Sequence, residues 1–204
     1  MDERELRVGA LISGGGTNLQ AIIDACNEGL ILAQVVVVIS NNSKAYGLER
    51  ARNHNIPAFH ISSKAHPDPA DLDNALAERL EEHGADLVVL AGYMKKLGPA
   101  FLRRFHNRVI NIHPGPLPEF GGKGFHGLNV HRAVLKSGRA TSGPTVHLVD
   151  EEYDHGPVLD HIEVPVMPDD TPETLAERVL AQEHVLFPRV IEKIARKEID
   201  LEGY

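Results

Sequence analysis

The chain has 204 residues, 42% hydrophobic and 25% charged, enough for one full core and too polar throughout for a membrane span. A formal net charge of −8 excludes ordinary nucleic-acid binding, which relies on Lys and Arg to neutralise phosphates, but leaves room for a small anionic substrate at a locally positive site. A single cysteine, Cys26, rules out a disulfide framework and a thiolate metal cage; its place on an early helix reads as a core thiol.

In chain order, the charged amino end MDERELR reads as the start of a cytoplasmic chain with no secretory signal. LRVGALI (6–12) predicts a strand, SGGG a tight loop, and Thr17 to Asn27 a helix. AQVVVVIS (33–40) is apolar throughout, as expected of a parallel strand covered on both faces. A helix over SKAYGLERARNHN, a short strand IPAFHI, and a helix from Pro69 to His83 follow. Leu72, Leu76 and Leu80 stand four apart on that third helix. ADLVVLAG (85–92) and RVINIH (108–113) complete five βα-type strands.

A proline-rich loop, a helix from Asn129 to Ser137 and two alternating segments, TSGPTVHLVD and PVLDHIEVPV, come next. Their alternation predicts antiparallel strands with one wet face. A long helix from Pro172 ends the chain, with Pro188 expected to kink it. The pattern predicts one α/β domain over 1–204. Its core is an open, mostly parallel twisted sheet of about seven strands with helices on both faces, antiparallel toward the C-terminus.

Three places invite chemistry. ISGGGTNLQAI puts a glycine turn ahead of a helix, where backbone N–H groups and the helix dipole suit an anion. It lacks both the dinucleotide glycine spacing and the lysine of a triphosphate loop, so a monophosphate fits better. In VINIHPGPLPEF, strand alternation points Asn111 and His113 the same way at the carboxyl end of a strand, where open α/β sheets bind ligands. An amide and an imidazolium side by side can both donate to one developing oxyanion. In VDEEYDHGPVL, Asp154 precedes a Gly-Pro return into the next strand, and a carboxylate there would favour a charged His113. The twelve histidines include no pair at metal-binding helical spacing, so no metal is expected.

ISGGGTNLQAIIDAC, SNNSKAYGLERAR, DLVVLAGYMKKL, VINIHPGPLP, GPTVHLVDEEYDHGPV and AQEHVLFP, taken together, resemble the folate-dependent formyltransferases. Among them they are most similar to the phosphoribosylglycinamide formyltransferases of purine biosynthesis. The resemblance implies a Rossmann-like fold and a catalytic trio of Asn111, His113 and Asp154. It implies that Gly16, Thr17 and Asn18 hold the phosphate region of the ribonucleotide, with Asn111 near it and Glu183 on the ribose hydroxyls. Met94, Lys95, Lys96 and Leu97 would bind 10-formyltetrahydrofolate as co-substrate. Partners are then small molecules only, with the chain a monomer or a homodimer. PEFGGKGFHGLNVH looks longer than the corresponding family loop, which implies an altered lid over the folate. Lys64 would stand in for an arginine that some members place near the folate tail.

Overall fold

The computed structural model describes residues 4–204; the first three residues of the charged amino end lie outside it. Among the described residues there are nine strands and six α-helices, alternating until the last four strands, which run consecutively before the final α-helix. Strands β1 (Leu6–Ile12), β2 (Ala33–Ser40), β3 (Ala58–His60), β4 (Leu87–Leu90) and β5 (Val109–His113) pair in parallel. β7 (Thr145–Leu148) and β8 (Val158–His161) extend the sheet antiparallel, giving the order β3-β2-β1-β4-β5-β7-β8.

Val8, Ala10, Leu11 and Ile12 of β1 are fully buried because the central strand is covered on both faces. On one face lie α1 (Thr17–Asn27), α2 (Tyr46–Asn53) and α6 (Pro172–Ala195), sharing a core with Ile22, Leu48, Leu186 and Phe187. On the other lie α3 (Pro69–Glu82) and α4 (Pro99–Arg104), packed through Leu76, Leu80, Phe101 and Phe105. A smaller cluster seats α5 (Leu128–Ser137) against α6 through Val130, Val134, Leu175 and Val179. Cys26 packs against the first core, and burial pushes its thiol up to about 11, leaving it a poor nucleophile at neutral pH.

Several local expectations are corrected. Each of the two alternating segments splits, because Gly143-Pro144 and the turn after His161 break the ladder. The outer pieces, β6 (Thr141–Ser142) and β9 (Val164–Pro165), form a separate two-stranded sheet. The helix of the SKAYGLERARNHN segment starts only at Tyr46. α4 is new: a six-residue helix with Pro99 in its first turn, too short for periodicity to reveal. α6 continues through Pro188, which is buried, so the proline does not end the helix.

β1 has β2 on one side and β4 on the other, so the chain reverses its direction of growth between β1 and β4. The carboxyl ends of β1, β4 and β5 therefore open on a crevice between diverging connections.

Candidate active site

A cavity of about 510 Å³ occupies that crevice. Asn18, Met94, Lys95, Lys96, Leu97, Asn111, His113, Asp154 and Glu183 all line it, from five separate regions of the sequence. Gly16 and Thr17 do not line it; they lie directly beside Asn18, at the amino end of α1. Lys64 lies outside it as well.

Asn111 and His113 stand two apart at the end of β5, as alternation requires, Asn111 half-buried and His113 buried. Asp154 reaches them from the loop between β7 and β8, its backbone in the left-handed region at φ 55°. Its neighbour Gly156 allows this return, since a Cβ there would lie 1.9 Å from the Leu148 carbonyl oxygen. Asp154 Oδ2 is 3.5 Å from His113 Nδ1, and Oδ1 is 3.5 Å from Asn111 Nδ2. Burial would raise the Asp154 carboxyl. Hydrogen bonding with His113 and His147, the charge of His113 and the Gly122 N–H outweigh it and hold the group well below the usual carboxylate range.

The loop after β5 does more than line the cavity. His113 Nε2 lies 2.7 Å from the Phe120 carbonyl, an acceptor only, so Nε2 carries a proton and donates. Gly122 N–H donates to Asp154 Oδ2 at 3.0 Å. One loop thus orients both members of the ion pair, while its Gly122 to Gly127 stretch lines the cavity. With Nε2 committed to the Phe120 carbonyl, Nδ1 is the His113 nitrogen that Asp154 and a ligand would share.

His147 is a site residue that the sequence reading missed. It sits on β7 directly opposite Asn111, with Nε2 3.1 Å from Asn111 Nδ2 and 3.6 Å from Asp154 Oδ1. Its Nδ1 donates to the Leu148 carbonyl at 2.7 Å, so in the neutral ring Nε2 accepts from the Asn111 amide and fixes which way that amide faces. Alternation along TVHLVD places Thr145 and His147 on one face. Only the β5–β7 register says which face that is.

Asn18 Nδ2 donates to Glu183 Oε2 at 2.6 Å, joining α1 to α6. Burial raises the Glu183 carboxyl, with the Asn18 hydrogen bond and the charge of His113 opposing. Asn18 Oδ1 is buried without a protein partner. Met94 to Leu97 follow β4: Met94, Lys95 and Lys96 are exposed, Leu97 is buried, and Met94 N–H donates to Ser13 Oγ at 2.8 Å. Among the described residues, no three His, Cys, Asp or Glu side chains are grouped to hold a metal ion.

Residues 6–191 match the formyl transferase family. The chain belongs to that family. It is 41% identical over 200 residues to the chloroplastic phosphoribosylglycinamide formyltransferase of Arabidopsis thaliana, a match covering 97% of this chain and 68% of that one. The corresponding enzyme of Haemophilus influenzae is 42% identical over 91% of this chain and 85% of its own. The crystal structure of glycinamide ribonucleotide transformylase 1 from Symbiobacterium toebii superposes with a TM-score of 0.92 at 45% identity. That superposition covers 100% of this chain and 93% of the other. This formyltransferase therefore shares its fold with an enzyme of that name. No helix of the described residues is long and apolar enough to cross a membrane.

Proposed function

We propose that this formyltransferase moves the formyl group of 10-formyltetrahydrofolate onto the amine of 5′-phosphoribosylglycinamide, a step of purine synthesis. One observation carries the reading: Asn111, His113 and Asp154 converge in a cavity that the Asn18–Glu183 pair also lines. The ribonucleotide's ribose would hydrogen-bond Glu183, its phosphate would sit on Gly16, Thr17 and Asn18, and the folate would lie along Met94 to Leu97.

The amine attacks the formyl carbon, and the C=O electron pair moves onto oxygen. Asn111 Nδ2 and protonated His113, through Nδ1, donate to that oxyanion. Asp154 holds the imidazolium charge and relays the amine's proton toward folate N10. Collapse of the intermediate breaks the C–N10 bond, leaving formylated amine and tetrahydrofolate. A direct attack fits a cavity without a Ser or Cys nucleophile beside a base. The bacterial relatives fit a cytoplasmic site of action; the Arabidopsis relative is named as chloroplastic.

Turnover of 10-formyltetrahydrofolate with and without the ribonucleotide amine tests this directly. Formyl transfer that needs the amine is expected. Formate released at the same rate without it would make the chain a hydrolase, and no reaction in either mixture would reduce it to a binding protein.

A further inference from the structure

The loop Gly14 to Gly16 is held from behind by α2, whose AYGLER segment has no task in the reaction above. Gly14 O accepts from Gly47 N–H at 3.1 Å, and Gly15 O accepts from Arg50 Nε at 2.8 Å. The fit is close. A Cβ on Gly16 would lie 2.8 Å from Gly47 Cα, and one on Gly47 would lie 2.3 Å from Ile12 Cδ1. Arg50 is itself fixed, with Nη1 donating to Gln20 Oε1 at 3.1 Å and its guanidinium over the Tyr46 ring at 5.0 Å.

Both peptides of the loop are trans, so each N–H points opposite to the carbonyl of its own peptide group. With the carbonyls of Gly14 and Gly15 drawn toward α2, the N–H groups of Gly15 and Gly16 turn away from it. Among the described residues neither finds an acceptor. They lead into the first turn of α1, which begins at Gly16 with φ 71° and no side-chain cap. Consecutive free N–H groups at a helix start form an anion-binding concavity, but only while the peptide planes hold this orientation.

We infer that Arg50 is a positioning residue for the phosphate of the substrate. It acts through the Gly15 carbonyl, keeping the Gly16 N–H turned outward, and it adds a positive charge behind the loop of a protein whose net charge is −8. This rests on the proposed reading of Gly16 to Asn18 as the phosphate subsite. Lysine would keep the charge, but its compact ammonium lacks the planar fork with which Arg50 holds Gly15 O and Gln20 Oε1 through separate nitrogens.

The test compares steady-state kinetics on the ribonucleotide with those on its phosphate-free riboside. For Arg50→Ala the KM for the ribonucleotide should rise about ten-fold or more, the loss typical of one charge-assisted hydrogen bond. Its kcat and the KM for the formyl folate should hold, and kcat/KM on the riboside should match the parent. Arg50→Lys should fall between the two and stands in for the alanine variant if that fails to fold. An equal loss on both substrates, or an unmoved ribonucleotide KM, overturns the assignment. If the parent itself shows no preference for the phosphate, the subsite reading and the assignment fall together. If the parent prefers it and Arg50→Ala keeps that preference, only Arg50 is wrong.

Discussion

Asn111→Ala and His113→Ala are each expected to lower turnover about 100- to 1,000-fold, the usual loss on removing one oxyanion donor. Near-parental turnover in either, measured on folded protein, removes that residue from the mechanism. Asp154→Asn tests the charge at almost constant shape. His113 loses its anionic partner and the relay its carboxylate, so turnover should fall about 100-fold or more. Near-parental turnover would count against the pairing. Stability gives a second reading with a definite sign. The folded carboxyl is held below its unfolded value, so Asp154 stabilises the parent above about pH 4 and loses that contribution as acid titrates it in the folded state. Urea titrations should therefore show the gap between parent and variant narrowing as pH falls below about 4. His147 marks the limit of sequence reading for single residues: a histidine in a strand looks the same facing core or cavity, and here only Asn111 across the ladder distinguishes them.

Asp73 shows the same limit for an element. It is buried on α3, where its place on the apolar face of a helix gives no reason for a carboxylate. It accepts from Gly98 N–H at 3.0 Å and from Phe101 N–H at 3.2 Å, capping α4 from another helix. The capped helix follows directly on Lys96 and Leu97 of the cavity wall. Asp73→Ala should cost about 1–2 kcal/mol, roughly a 2–8 °C lower melting midpoint in a protein of this length, and raise the KM for the folate more than that for the ribonucleotide. An unchanged midpoint would mean that α4 holds without its cap. The loop 114–127 behaves comparably. Its prolines and glycines announce an irregular segment, yet nothing local to them tells that Phe120 O and Gly122 N–H orient His113 and Asp154.

For the molecule as a whole, the cavity draws on α1, β4, β5, β7 and α6 and on the loops that follow those three strands, so ligands should stabilise the whole fold rather than one part of it. A saturating ligand at about 100 times its Kd adds roughly 2.7 kcal/mol, which for a chain of this size raises the melting midpoint by about 5–10 °C. A non-hydrolysable formyl-folate analogue and the ribonucleotide should each give such a shift in a single cooperative transition. A split transition would show that the cavity is not shared by one folding unit.

The amino-acid order alone determined the βα alternation, the buried parallel strands, the trio's residue types and the glycine turn, because each depends on periodicity or on chemistry within a few neighbours. The tertiary structure alone decided that His147 faces Asn111, that α2 braces the glycine loop, that Asp73 caps a distant helix and that Pro188 sits inside an unbroken one. Those outcomes depend on strand register and on packing between segments tens of residues apart. The free energies involved belong to the assembled contacts, and no local stretch of chain contains both partners.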